Sequence, residues 1–242
     1  MNNKLTLFTT HKFSLDKCPP NLKNNLNKWK NLNSEFQFKY FDDDELNNWM
    51  KNNVSNETFE LFLSLNSGAG KADLFRVSFL YYHGGIWIDA DLPAFDILKQ
   101  KADFISSLKE NQAFLIRNRR CDNPRYTFIA SYYKNNKLFG ELLNLINKHI
   151  IFAKKSKKTF TTIHITGPFV LHKLINIKYN LKNINQLELN KKYNFDNSYF
   201  IYINDIVPPK NTYDEENVYK GYRKDLEYMN VKTHSIVNSI KN

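Results

Sequence analysis

The sequence predicts an α/β fold, a mostly parallel central sheet flanked by helices. Three observations carry this expectation. Short apolar strands alternate with helices from residue 5 to residue 95, the order that lays helices on a parallel sheet. Several of those strands are uninterrupted apolar runs, as strands covered on both faces are. A chain of 242 residues, 42% of them hydrophobic, can also bury a core without disulfides or a structural metal.

The elements follow in order. LTLFTT (5–10) reads as a short buried strand. Pro19 and Pro20 stop the chain and open a helix whose apolar stripe is Leu22, Leu26 and Trp29. FQFKYF (36–41) alternates, with Phe36, Phe38 and Tyr40 on one face of a second strand. Asp42, Asp43 and Asp44 follow at once as cap and first turn of the next helix, where carboxylates meet free N–H groups. From Lys71 to His83 there is neither Pro nor Gly, so a buried helix is expected there, closed by His83 and stopped by Gly84. Ile86, Trp87 and Ile88 make a short strand that ends in Asp89-Ala90-Asp91, with Pro93 just beyond. Further along, 113–116 reads as a strand, 138–151 as a helix, 169–175 as a helix opened by Gly167-Pro168, and 199–203 as a strand. No internal repeat and no linker divides the chain, so one domain over 1–242 is expected.

Composition narrows the function. The net charge is +11 and the pI about 9.4, which attracts phosphates in general. The basic residues are almost all lysine, however, and none of their runs is interleaved with aromatics as in nucleic-acid readers, so no nucleic-acid partner is expected. KKSKK (154–158) reads as a solvated loop, and the abundance of Asn, Lys, Ile, Tyr and Phe as AT-rich coding. Cys18 and Cys121 are too few for a disulfide framework and lack metal-type spacing. No transmembrane segment and no signal-peptide core is visible, so a cytoplasmic location is expected.

The chemistry points to one place. Asp89 and Asp91 stand two residues apart at the carboxyl end of a buried strand, where α/β sheets hold their ligands. Strand alternation would put both carboxylates on one side, and a divalent cation relieves their repulsion. Hard oxygen ligands select Mn²⁺ or Mg²⁺, which take phosphate oxygens as further ligands. Asp42 and Asp44 share the spacing but sit at a helix start. Asp73 and Arg76, three apart on the apolar helix before Asp89, share a face. They read either as an internal salt bridge or as ligand-facing groups, the guanidinium fork suiting hydroxyl pairs or phosphate oxygens. Trp87 reads as core packing. His164, just before Thr166-Gly167-Pro168, reads as packing or as a group near an acceptor.

KADLFRVSFLYYHGGIWIDADLPAF (71–95) resembles the signature of glycosyltransferase family 32, in the order Ala72-Asp73, Arg76, Gly84-Gly85, Trp87, Asp89 and Asp91. TFIASYYKNNKLFGELLNLI (127–146), Thr166-Gly167-Pro168 and THSI (233–236) are similar to later segments of that family, and HKF (11–13) to its opening. The large glucosylating toxins share a similar core. The resemblance implies a GT-A type nucleotide-sugar-binding fold, with 1–95 as the donor-binding half and 96–242 as the acceptor-side half. It implies a nucleotide-sugar donor, UDP-sugar before GDP-mannose, a glycan or other hydroxyl acceptor, and retention of anomeric configuration with Mn²⁺ or Mg²⁺. By resemblance, Asp89, Asp91 and His234 would hold the metal. Phe8, Thr9, Thr10, Asp73, Arg76, Gly85, Asp89, Ala90, Gly167 and Pro168 would line the donor site, with Asp89, Asp91 and Arg76 catalytic. The tryptophans that usually follow the late histidine are absent after His234. Two other classes stay open on the residues alone. One is a phosphohydrolase of the haloacid dehalogenase type, whose motif also ends an apolar strand. The other is a catalytically silent nucleotide-sugar- or glycan-binding protein.

Overall fold

The computed structural model describes residues 4–117, 124–156 and 160–203. The strands are β1 (Thr6–Thr10), β2 (Gln37–Phe41), β3 (Gly85–Ile88), β4 (Ala113–Arg117), β5 (Pro124–Ser131), β6 (Lys192–Phe195) and β7 (Ser198–Ile203). The helices are α1 (Pro20–Leu32), α2 (Asp43–Asn53), α3 (Asn56–Leu63), α4 (Gly68–Tyr82), α5 (Ile97–Gln100), α6 (Phe104–Asn111), α7 (Lys137–Lys155), α8 (Thr162–Ile165) and α9 (Pro168–Tyr179).

All described strands join one sheet in the order β2-β1-β3-β5-β4-β7-β6. β1 pairs in parallel with β2 and β3, and β4 with β7; β5 is antiparallel to β3 and β4, and β6 to β7. Five strands therefore point one way, and only β5 and β6 are reversed. The expected α/β class with a helix-flanked central sheet is what the chain forms, but the sheet is mixed, with three parallel and three antiparallel pairings among the described strands.

Helices cover both faces, and alternation along the strands feeds two cores. Phe8, Trp87, Leu115 and Ile129 face α2, α3, α4, α7 and α9. Leu7, Ile86, Ile88, Phe114, Phe128 and Ala130 face the other way, toward Trp29 of α1, Ile97 of α5, and Phe104 and Leu108 of α6. The central strands are rich in apolar residues with no strict alternation because both of their faces meet one of these layers.

Local causes match the sequence where it is explicit. Pro20 is the first residue of α1. Asp42 is the cap of α2: its Oδ1 accepts from Glu45 N–H (2.9 Å), and the Glu45 carboxylate accepts from Asp42 N–H (3.2 Å), a closed capping box. The helix expected before Gly84 is α4, capped by Ser67 and ending at His83, whose ring stacks on Phe79. Burial, with Lys39 and Lys134 nearby, lowers the His83 pKa. The turn from α4 into β3 needs its two glycines. Gly84 and Gly85 have φ of +75° and +119°, and a Cβ on Gly85 would lie 2.7 Å from the Thr6 carbonyl oxygen.

β5, β6, α3, α5, α6 and α8 lie outside the elements that the sequence pattern predicts. β5 is the consequential one, since it inserts between β3 and β4 and carries part of the site.

Candidate functional site

β1, β2 and β3 run in parallel, so their carboxyl ends share one edge of the sheet, and β3 delivers Asp89 there. Asp89 N–H donates to the Thr127 carbonyl of β5 (2.9 Å), holding the residue on the ladder. The chain then turns, with Leu92 N–H donating to the Asp89 carbonyl (2.9 Å). The strand thus stops before Asp91, and the alternation expected to align Asp91 with Asp89 does not extend to it. Asp91 instead takes its direction from a half-exposed turn.

Arg76 organises what lies beneath that turn. Its Nη2 is 3.2 Å from Asp73 Oδ1, and its Nη1 is 3.1 Å from Asp89 Oδ1 and donates to the Tyr126 carbonyl at 2.9 Å. Its Nε donates to the Ala72 carbonyl (3.4 Å), and the guanidinium lies over the rings of Trp87 (4.4 Å) and Tyr126 (5.2 Å). Trp87 Nε1–H donates to the same Asp89 Oδ1 (2.9 Å), so this tryptophan positions a carboxylate as well as filling the core. Thr166, fully buried just before α9, donates its hydroxyl to Asp73 Oδ2 (3.0 Å).

Burial dominates the electrostatics of Asp73. It lifts the carboxyl from its usual range to about 6, against the pull of Arg76 and the Thr166 hydrogen bond, and Asp89 adds to the rise. Burial also raises the Tyr126 phenol well above its usual value, with Asp73 contributing. Asp73 and Asp89 both contact the one guanidinium of Arg76, so this cluster holds two carboxyl groups against one cation.

The turn after Asp89 is clamped from α1 by Asn25, Trp29 and Asn33, spaced four apart. Asn25 Nδ2 donates to the carbonyls of Ala90 (3.0 Å) and Leu92 (2.8 Å), and its Oδ1 accepts from Ala94 N–H (2.9 Å). Trp29 Nε1–H donates to the Leu92 carbonyl (2.8 Å). Asn33 donates to the Phe95 carbonyl and accepts from Ile97 N–H, both at 2.9 Å. All three side chains are buried.

The residues expected at the site fall into three groups. Asp73, Arg76 and Asp89 are brought together, and Asp91 adjoins them in the turn. The Arg76 fork, expected to face ligand hydroxyls, is instead occupied by Asp73, Asp89 and two carbonyls. Thr9 and Thr10 lie at the carboxyl end of β1. Thr10 donates its hydroxyl to the Phe41 carbonyl (2.6 Å), while the buried Thr9 hydroxyl has no partner among the described residues. Gly167 and Pro168 open α9, and a Cβ on Gly167 would meet Ile163 Cα at 2.7 Å, so their part is to bring Thr166 to Asp73.

Three of the expected donor-site residues are taken up by packing. The Phe8 side chain is fully buried against Phe75, Phe79 and Trp87, because alternation turns it into the helix-covered face. Gly85 begins β3, at the opposite end from Asp89, where it admits the Thr6 backbone. Ala90 packs its methyl with Cys18, Leu22 and Leu26. His234 lies outside the described residues. Trp29, Asn25, Asn33, Tyr126 and Thr166 went unforeseen as site residues. Thr166 was within reach, since it begins the Thr-Gly-Pro run, and the Asn25–Trp29–Asn33 spacing was visible on α1.

Asp89 and Asp91 are the residues that could hold a metal. Both donors on Asp89 fall on Oδ1, so Oδ2 has no partner among the described residues, and a carboxylate oxygen of that kind suits a hard dication. No group of three or more His, Cys, Asp or Glu side chains is placed to hold a metal among the described residues. A groove of about 340 Å³ between α1 and β2, lined by Leu26, Lys30, Phe38 and Tyr40, includes none of Asp73, Arg76, Asp89 or Asp91.

The sequence profile for capsular polysaccharide synthesis proteins matches residues 13–241. The chain belongs to that family. A relative within reach of sequence comparison is an uncharacterised glycosyltransferase, L373, of Acanthamoeba polyphaga mimivirus, 38% identical over 61 residues. The match covers 25% of this family member and 24% of L373, so the chain spans about a quarter of that relative's length. Among solved structures, the PaToxG Glycosyltransferase is similar at a TM-score of 0.49 and 14% identity, over 73% of this chain and 70% of that one.

Proposed function

We propose that this capsular polysaccharide synthesis family member is a metal-dependent, retaining glycosyltransferase. It moves a sugar from a nucleotide donor, UDP-sugar before GDP-mannose, to a hydroxyl of a glycan or other acceptor. Family membership and the description of the mimiviral relative both support glycosyl transfer. The family 32 signature over 71–95 supports the finer reading. The observation that carries it is Asp89 at the carboxyl edge of β3, with one oxygen fixed by Arg76 and Trp87 and the other unpartnered among the described residues.

In this reading Asp89 and Asp91 hold Mn²⁺ or Mg²⁺, and His234 stands as a third ligand on the resemblance alone. When bound, such an ion offsets the charge that develops on a departing diphosphate. The chain's own residues prepare the place. Trp87 and Arg76 fix the Asp89 carboxylate before any ligand arrives, and pre-fixed charges need no rearrangement during reaction. Arg76 also ties Asp73 to Asp89, so the buried carboxylate does not stand uncompensated. α1 holds the backbone of the acidic turn through Asn25 and Trp29. Thr9 and Thr10 end β1 at the edge where the parallel strands finish, and in this reading that edge lies beside the nucleotide.

A thermal-shift series tests the reading. UDP-glucose, UDP-galactose, UDP-N-acetylglucosamine and GDP-mannose are each added with and without Mn²⁺. A ligand that binds the native state raises its melting point, by about 2.7 kcal/mol of stability at one hundred times Kd. The expected result is a rise with at least one donor that requires the metal. No rise with any donor, or an equal rise without metal, would contradict it.

A further inference from the structure

Four of the exposed large apolar side chains among the described residues share one face, made by α7, α8 and α9. They are Phe152 (61% exposed), Ile163 (40%), Phe169 (43%) and Ile177 (68%). The face is continuous. Phe152 lies 5.7 Å from the Phe160 ring. Just before it on α7, His149 Nδ1–H donates to the His164 carbonyl (3.2 Å), and the His164 ring lies 4.9 Å from Phe169. Phe169, Lys173 and Ile177 follow at every fourth position on α9, with Lys173 Nζ donating to His149 Nε2 (3.4 Å).

The charge on this face is mostly positive. Between Glu141 and Glu188 the sequence contains no Asp or Glu. Lys148, Lys155 and Lys173 are exposed around the apolar side chains, and Lys154 is half-exposed. Lys178, at the rim, is engaged by Asp196 (2.5 Å).

Single exposed apolar residues are ordinary on a protein surface. Four together, rimmed mainly by lysines, with Asp196 on Lys178 as the carboxylate at the edge, match a surface that meets an apolar layer under negative charge. The aliphatic Ile163 and Ile177 offer no ring on which a base could stack, which argues for lipid over nucleic acid. We propose that the α7–α9 face docks the chain on membranes rich in anionic lipid. The four apolar side chains would enter the headgroup layer, and the lysines would pair with phosphates. No helix among the described residues is long and apolar enough to cross a membrane, and the docking is peripheral. It would bring the α8–α9 turn, whose inner residue Thr166 bonds Asp73, against the bilayer.

Co-sedimentation of the full chain with vesicles tests this without any donor or metal. The comparison is phosphatidylcholine alone against an equal mixture with phosphatidylglycerol. Binding should be at least about tenfold tighter to the mixture and should weaken steeply at about 1 M salt, where the Debye length is about 3 Å. F152S/F169S/I177S and K148E/K155E/K173E should each lose about tenfold or more with the melting point retained. K23E/K28E/K30E, the same charge change on α1, should stay within about twofold. The proposal is overturned if the wild-type chain ignores anionic vesicles at low salt, or if F152S/F169S/I177S binds like wild type. It is overturned equally if the α1 lysines matter as much, or if the triple apolar variant instead dissolves a dimer formed through this face.

Discussion

Arg76 joins the interior of the protein to its acidic edge. One guanidinium serves Asp73, Asp89 and the Tyr126 carbonyl while stacking on Trp87, a set of contacts that a lysine ammonium cannot reproduce. Arg76→Lys should therefore lower turnover about 10–100-fold, as loss of a ligand-orienting partner does, and should also lower the unfolding midpoint in urea. Equal stability of R76K and wild type would show that the bridge holds nothing together. Asp73 makes a pH prediction with a definite sign. Its native carboxyl titrates near 6, above its value in the unfolded chain. Between about pH 4 and pH 6 the native state keeps a proton that the unfolded state has lost, so stability falls as pH rises through that window, by about 3 kcal/mol in all. His11 acts in the opposite sense, because burial and Lys12 lower its pKa to about 4, and stability is lost as pH falls from 6.5 toward that value. Comparing the urea stability of wild type and Asp73→Asn from pH 4 to pH 7 isolates the Asp73 part. The wild-type curve should drop relative to the variant, and parallel curves would refute the burial argument.

α1 does more than cover the sheet. Its buried Asn25, Trp29 and Asn33 replace the hydrogen bonds that the loop after Asp89 cannot make for itself. Asn25→Ala leaves the Ala90 carbonyl without its donor and should cost about 1–3 kcal/mol. By loosening the acidic turn it should also raise the Mn²⁺ concentration for half-maximal rate about tenfold. A stability loss with no change in metal requirement would make the clamp purely structural. Gly85→Ala sets a side chain against the Thr6 carbonyl at a φ of +119° and should destabilise by at least about 2 kcal/mol in a urea titration. The elements also show what a sequence can disclose. The strands and helices with a clear stop signal, such as Pro19-Pro20, Asp42 and Gly84-Gly85, were legible. β5 was not, because a central strand packed on both faces shows no clear alternation in its sequence, PRYTFIAS. α3, α5, α6 and α8 are too short for a helical period to stand out.

At the scale of the molecule, the site draws on both halves of the chain. Asp73, Arg76 and Asp89 are close in sequence and were legible together, but Tyr126 and Thr166 come from beyond residue 95 and reach the same guanidinium and carboxylate only through the fold. Partnerships of that range leave no mark in spacing. Phe8, Gly85 and Ala90, given to the donor site by resemblance alone, have side chains or Cβ positions taken up by packing. Spacing misled at Asp91, which was assigned a strand direction although the chain had already turned. The central claim remains that Asp89 and Asp91 bind the dication required for sugar transfer. The most direct measurement is the initial rate of diphosphate release from the preferred nucleotide sugar, with and without Mn²⁺, for wild type, Asp91→Asn and, as a control at the same spacing elsewhere, Asp44→Asn. Metal-dependent turnover in wild type and Asp44→Asn, lost in a folded Asp91→Asn, is the predicted result. Undiminished turnover in Asp91→Asn would contradict it.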